Sequence, residues 1–514
     1  MPIRAWNAFE LTGLPGVSPS ARLSLPNLAR PTVTGCILGG FLGMALVSCS
    51  SGGALDDGML PDPMPMLPNE ALALQDVQPS KASTAGGTEL RLRGAGFVRG
   101  ATVAIDGVQV ADVTLASAKE LVLKVPARLG AFGRVPLLVQ NPDGKRVVRN
   151  DLFSYVPATV SFAQRVDFAV QKRPLFVAAA DMNGDQRVDL VVSNSNDNSL
   201  SLLFGNGDGS FATQQLWPTS VAPHGLVLAD MNGDRKLDVV VACHTAGVFD
   251  LFFSDGEGHL SPQNLGDYKT GAGPIYAVVG DVNSDGKPDA IVSNFNASQS
   301  SVHVSQGGGK FAMGSALSTG TFPFGSVLAD FNEDGKPDYA VVNRTDNNLS
   351  VFLGNGDGSF AARSNTAAAP SPIGLAVGDV NGDGHQDLVS ASTVGTMVMP
   401  PALSTSKIIV HLGRGDGTFA GYIESDVAGG TRDIQLGDLN ADGVLDVAVA
   451  AMDTERLTVL LGKGDGSFPS RFDYVTGGLP SGVAIGLFNA DPRPDIAVSN
   501  SGSNTVSVFL NASQ

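Results

Sequence analysis

Asp181-Met182-Asn183-Gly184-Asp185-Gln186-Arg187-Val188-Asp189 is the stretch on which the reading of this chain turns. It sets oxygen-bearing side chains at positions 1, 3, 5 and 9 of a nine-residue loop and runs directly into the apolar Leu190-Val191-Val192. The pattern returns with its first Asp at 230, 281, 330, 379 and 438, and once more in damaged form with Leu487 in first place. The intervals are 49, 51, 49, 49, 59 and 49 residues. One unit is therefore repeated, and a period of this size marks a solenoid or a propeller.

Inside the unit a second landmark fixes the strand count. The turn Gly205-Asn206-Gly207-Asp208-Gly209-Ser210-Phe211 ends on an apolar residue 22 positions after Asp189, and Leu260, Phe311, Phe360 and Phe468 keep that spacing. In the fifth unit Phe419 stands 32 positions on, so the extra length lies between its second and third strands. Apolar stretches 175–180, 188–193 and 200–204, with a fourth beginning at Phe211, give four strands per unit. Phe162 lies 19 residues before Asp181, whereas the seventh unit would need its counterpart at 517, past Gln514. The arithmetic predicts an all-β, seven-bladed β-propeller over 158–514, with the N-terminal strand near Phe162 finishing the last blade. That N-to-C-terminal closure leaves no open sheet edge.

Upstream, residues 71–157 carry short alternating stretches such as Glu89-Leu90-Arg91-Leu92-Arg93 between Gly, Pro and Asp turns, the signal of a small immunoglobulin-like β-sandwich. Gly86-Gly87-Thr88-Glu89-Leu90, Gly94-Ala95-Gly96-Phe97 and Asn141-Pro142-Asp143-Gly144 resemble the IPT/TIG domain. Such domains bind DNA in some transcription factors; on an exported acidic chain the role of spacer is expected. Residues 49–70, rich in Gly, Pro and Asp, read as a flexible tether. The uncharged segment 32–48 (TVTGCILGGFLGMALVS) follows Arg22 and Arg30 and ends in Leu46-Val47-Ser48-Cys49, which resembles the lipobox of bacterial lipoproteins. The expectation is a signal peptide over 1–48, lipidation at Cys49, and a protein anchored in the bacterial cell envelope, in the periplasm, outer membrane or cell surface. Cys243 then remains alone in an apolar run, as a buried small hydrophobe.

Oxygen donors at positions 1, 3, 5 and 9, with a backbone carbonyl at 7 and no Cys or His at a ligand position, suit a hard divalent cation, and the flexible loop favours Ca2+. Asp-Asn-Gly runs also form turns without metal, but six registered copies weigh against chance. The repeat resembles the FG-GAP or VCBS repeats of integrin α-chains and bacterial surface proteins over 161–514. The resemblance implies about six calcium sites, with side-chain ligands Asp181, Asn183, Asp185 and Asp189; Asp230, Asn232, Asp234 and Asp238; Asp281, Asn283, Asp285 and Asp289; Asp330, Asn332, Asp334 and Asp338; Asp379, Asn381, Asp383 and Asp387; and Asp438, Asn440, Asp442 and Asp446. The seventh loop, with Leu487 and Pro492, is expected to be empty. Gln186 and Arg235 replace the glycine of later loops, which points to strain in the first two.

A formal charge of −17, from 33 basic and 50 acidic residues, excludes nucleic acid as a partner, since no basic patch interrupts it. It leaves the membrane accessible through the lipid anchor only. The six histidines are scattered, no HExxH or GxSxG occurs, and carboxylate pairs are those of the loops, so the chain is not read as an enzyme. Arg414-Gly415-Asp416 occupies the slot of Asn206-Gly207-Asp208 and is a turn. The expected function is a calcium-stabilised envelope or surface protein that binds a protein or glycan through the propeller. The alternatives are a carbohydrate-active lyase or hydrolase on the same scaffold, and a structural component of an envelope assembly. The extra segment of the fifth unit carries Met397, Met399 and Leu403 among other apolar residues and is the predicted ligand contact. Its alternative is a plug folded back into the central channel.

Overall fold

The computed structural model describes residues 71–84, 86–128, 133–156, 159–394 and 405–513, all within one compact unit, 68–514. The signal-like segment with Cys49, the tether, and Met397, Met399 and Leu403 lie outside the described residues. Among the described residues there is no α-helix, and so none long and apolar enough to cross a membrane.

The N-terminal part packs two four-stranded sheets and a three-stranded one. Glu89–Ala95 alternates exposed and buried residues along its length, as a strand with one face on a core must. Leu90, Leu92, Val103, Ile105, Leu121, Leu137, Val139, Phe153 and Tyr155 fill that core. The Tyr155 hydroxyl, which burial would otherwise strand, donates to the Pro126 carbonyl at 2.8 Å.

From residue 159 on, seven four-stranded antiparallel sheets follow one another in a β-propeller-like arrangement. In the first, Pro174–Ala180, Asp189–Asn194, Ser199–Leu203 and Gln215–Pro218 pair in order. The second strand is wholly buried, with Leu190, Val191 and Val192 between its opening Asp and the buried polar Ser193 and Asn194, while the fourth is mostly exposed. The fourth strand begins at Gln215, four residues later than expected from Phe211, which instead forms an isolated bridge with Gly205. In the second and fifth sheets the corresponding strand does start at the apolar residue, as Leu260–Lys269 and Phe419–Val427.

The first strand of each sheet packs against the first strand of the next, and Pro174–Ala180 also packs against Pro480–Gly486 of the last. The fourth member of the last sheet comes from the other end of the repeat region: Val166–Ala169 pairs antiparallel with Thr505–Phe509. Phe162 bridges Asn511 and packs edge-on against Tyr474 at 5.0 Å and Phe509 at 6.2 Å. Cys243 is fully buried, and burial raises its thiol pKa well above the usual value. It is an inert core residue.

Candidate metal centre

Each carboxylate loop joins the first strand of a sheet to the second, and the fifth shows its construction. Asp379 accepts with Oδ1 from the Gly382 and Asp383 amides at 2.6 and 3.2 Å and with Oδ2 from the Gly384 amide at 2.9 Å. Asn381 Oδ1 accepts from the Asp383 amide at 2.9 Å, and Asp383 Oδ1 from the His385 amide at 2.9 Å. The position-1 carboxylate thus sits in a cup of backbone N–H groups. Forming that cup requires left-handed backbone at positions 4 and 6, where φ is 78° for Gly382 and 91° for Gly384.

Only the fifth loop has glycine at both places. The first and second are strained at position 6, with φ of 66° at Gln186 and 68° at Arg235, as the sequence predicted. The third, fourth and sixth carry the same strain at position 4, at Ser284, Glu333 and Ala441, with φ of 59°, 59° and 61°. Strain therefore does not single out the first two loops.

The position-9 Asp has a distinct task. Asp189, Asp238, Asp289, Asp338, Asp387, Asp446 and Asp495 are all fully buried. In each, Oδ2 accepts from the amide of loop position 2 and Oδ1 from the amide where the third strand ends; in the first sheet these are Met182 at 2.9 Å and Gly205 at 2.8 Å. The carboxylate staples the loop to the neighbouring turn. Asp495 makes the same bonds, from Phe488 at 2.9 Å and Asn511 at 2.7 Å, although its loop has lost position 1. Burial drives these carboxyls upward, Asp189, Asp238 and Asp387 each to about 6.

The residues suit a hard cation by donor chemistry: the side chains at positions 1, 3, 5 and 9 offer oxygen, and the desolvated position-9 carboxylate is a charge that a divalent ion relieves. The oxygens are at present turned to backbone amides, and among the described residues no three His, Cys, Asp or Glu side chains form a metal-holding group. Lysine supplies part of the compensation at position 7, with Lys287 Nζ 2.9 Å from Asp285 and Lys336 Nζ 3.3 Å from Asp334.

The sixth loop differs from the others in exposure. Asn440 and Asp442 are buried, whereas their counterparts in the first five loops reach solvent. Burial raises Asp442 to about 6, against a lowering influence of Lys81 from the N-terminal sandwich, which also acts on Asp438. Sequence periodicity could not have signalled this, because the neighbour comes from outside the repeat.

The turns between third and fourth strands lie on the same face. Asp208 Oδ1 accepts from the Ser210 amide at 2.9 Å and its hydroxyl at 2.6 Å. Asp416 does the same with Thr418, at 2.9 and 2.6 Å, so Arg414-Gly415-Asp416 is built as the ordinary turn of the repeat. Four of these turns clip onto the carboxylate loop of a neighbouring sheet, through the amides of Gly209, Gly358, Gly417 and Gly466; Gly417 N donates to the Phe331 carbonyl at 2.8 Å. A Cβ on Gly417 would stand 2.8 Å from Leu353.

The FG-GAP-like repeat profile matches residues 181–241, 230–292, 281–341, 330–390 and 438–498. The chain belongs to the FG-GAP-like repeat family. An IPT/TIG domain matches residues 72–155, in line with the sandwich upstream of the FG-GAP-like repeats. No curated protein matches. Among solved structures, BBS1N in complex with ARL6DN is 12% identical, covers 68% of this chain and 96% of its own, and has a TM-score of 0.46. An auxiliary nutrient binding protein from Bacteroides ovatus is 11% identical, with coverage of 87% and 99% and a TM-score of 0.38. A putative 6-phosphogluconolactonase from Bacteroides uniformis is 14% identical, with coverage of 74% and 97% and a TM-score of 0.45. At such scores these likenesses say nothing about function.

Proposed function

We propose that the chain is a lipid-anchored, calcium-stabilised binding protein of the bacterial envelope or cell surface. Its seven sheets are read as a closed seven-bladed propeller, finished by the N-terminal strand, that captures a protein or glycan. The observation that carries this reading is the contrast between the two ends of the sheets. One end is built alike in six loops, each with the position-6 amide on the position-1 carboxylate and the position-2 amide on the position-9 carboxylate, and such uniformity serves stability. The loops at the other end differ in sequence, as in Ser195-Asn196-Asp197-Asn198 and Met452-Asp453-Thr454-Glu455, and variable loops on a rigid scaffold serve recognition.

Calcium bound to the native state adds RT ln(1 + [L]/Kd) per site, about 2.7 kcal/mol at a hundredfold excess over Kd. The lipobox-like sequence at Cys49 supports the anchor. The test is capture from envelope extracts together with a glycan array, each with and without Ca2+. Deleting residues 394–405, which hold Met397, Met399 and Leu403, is expected to abolish capture and leave thermal melting intact. Retained capture removes that segment from the recognition surface. Cys49→Ala is expected to shift the protein out of the detergent phase.

A further inference from the structure

The residue directly ahead of each first strand, at the end of the sheets away from the carboxylate loops, is held in left-handed backbone in all seven, with φ from 52° at Ser371 and Leu479 to 68° at Gly430. Glycine fits that conformation, and a bulky side chain is an outlier there. The fourth sheet alone places an aromatic ring at the position, and this Phe322 is the most exposed of the seven, at 37%. The fold does not require a ring here, since the other sheets form without one. Backbone strain of this kind collects at binding and catalytic sites.

Phe295, from the short turn Phe295–Ala297 after the second strand of the third sheet, lies against Phe322 with centroids 4.6 Å apart and planes 18° apart. Buried Phe324 meets Phe295 edge-on at 6.0 Å. Phe295 thus covers one side of the Phe322 ring and is itself braced, while the rest of Phe322 reaches solvent. Beside it the exposed Asp346 accepts from the Thr321 amide at 2.9 Å. Asn296, the next residue of the turn, reaches over Gly273 toward the second sheet: a Cβ on that glycine would stand 2.6 Å from Asn296 Nδ2 and 3.0 Å from His244 Nε2. Only glycine leaves the two side chains that room. Buried His224 stacks on His244 with centroids 5.1 Å apart and fixes its ring. Burial, helped by the field of Arg173, holds His244 below its usual pKa. Its neutral imidazole, like the Asn296 amide, offers both a donor and an acceptor.

We propose that Phe322, Asn296 and His244 bind a neutral glycan chain, with one hexopyranose laid on the Phe322 ring and the hydroxyls of a neighbouring sugar on Asn296 and His244. The proposal rests on the glycan branch of the function given above and names its ligand class. A pyranose has an apolar C–H face, which suits the electron-rich face of an aromatic ring. Its hydroxyls donate and accept at once, which suits a neutral imidazole and an amide. Small-ligand sites combine apolar rings with a few placed polar groups in this way. The Asp346 carboxylate at the rim repels an acidic sugar and accepts from a hydroxyl of a neutral one. An apolar peptide side chain would use the Phe322 ring and leave the polar pair unanswered. The site stands apart from partner capture by the fifth-sheet segment, so either can fail alone.

An array of neutral hexose and N-acetylhexosamine oligomers and of uronic acid oligomers, probed with the full chain, selects the ligand, and calorimetric titration then measures it. A neutral oligomer is expected to bind, and more tightly than its monosaccharide. Phe322→Ala and Asn296→Ala are each expected to weaken binding at least tenfold. Phe322→Trp is expected to retain it and to show a shift of indole emission as the oligomer is added. Should Phe322→Ala fail to fold, Asn296→Ala, at an exposed position, decides. No neutral oligomer bound, whatever protein is captured from extracts, overturns the site together with the glycan reading. A neutral oligomer bound undiminished by the folded variants leaves the glycan reading standing and overturns the site, and so does a preference for uronic acid oligomers.

Discussion

The fifth loop, residues 379–387, and the seventh, residues 487–495, occupy the same place in the repeat and have diverged in an ordered way. The fifth holds Asp379 in a cup made by the amides of residues 382, 383 and 384. In the seventh, Leu487 is 47% exposed where that carboxylate would be, and Pro492 at position 6 has no N–H to offer. Acceptor and donor are missing together. What survives is the inner half: Asn489 still accepts from Asp491, Asp491 from Arg493, and Asp495 from Phe488 and Asn511. The motif is therefore two devices in one string, an outer cup suited to a cation and an inner staple that every sheet needs.

The largest effect that would separate the two devices lies at Asp495. Its side chain is fully buried and satisfies two backbone amides. Asp495→Ala leaves both without partners, at about 1–3 kcal/mol each, so a loss of about 3 kcal/mol is expected in urea or thermal unfolding. The loss should be the same with and without Ca2+. A neutral Asp495→Ala would mean that the staple is idle and the carboxylate a relic of metal binding.

Calcium itself should act only in the six loops that keep the outer cup. EGTA is expected to lower the melting temperature and excess Ca2+ to restore it, by up to the few kcal/mol per site that mass action supplies. Asp379→Asn should remove the share of the fifth loop from that response. A melting temperature indifferent to both additions would leave all six loops as plain turns and erase the distinction from the seventh.

How far these features were legible follows from their range along the chain. The sheets were readable because each depends on apolar alternation and on a spacing that recurs, such as Phe211 after Asp189. Counting back from Asp181 placed an N-terminal strand near Phe162; the strand that pairs with Thr505–Phe509 is Val166–Ala169, and Phe162 itself makes an isolated bridge to Asn511. The staple was not readable, since position 9 looks like any other donor until its second bond, to an amide 16 residues on, is seen. Strain at Ser284, Glu333 and Ala441 sits at position 4, where the glycine pattern of position 6 carries no information about it. The influence of Lys81 on Asp438 and Asp442 acts between residues hundreds of positions apart and leaves no trace in the period.

A gain of function can be built into the seventh loop. Leu487→Asp with Pro492→Gly restores both the missing acceptor and the missing amide, in a loop whose inner half is already formed. The double variant should bind one more Ca2+ per chain than the parent by calorimetry, with a gain in stability that appears only when Ca2+ is present. Either single change should do neither. An unchanged stoichiometry in a folded double variant would show that the cup is insufficient for a site.

The smallest effect concerns the backbone of the cup. Gln186 holds a φ of 66° where the fifth loop has Gly384 at 91°, and nothing lies within 4 Å of a Cβ built on Gly384. Conformation alone thus distinguishes the two positions. A non-glycine residue in left-handed backbone costs about 1–2 kcal/mol, of which the extra freedom of glycine in the unfolded chain returns roughly 0.5–1 kcal/mol. Gln186→Gly is therefore expected to stabilise by no more than about 1 kcal/mol, and Gly384→Gln to destabilise by the same amount. Both are measurable as midpoint shifts in urea. The signs must be opposite, because one substitution removes the strain that the other introduces. If both variants lose stability, side-chain contacts of Gln186 outweigh its backbone, and the cup is not held by conformation in the way the fifth loop implies.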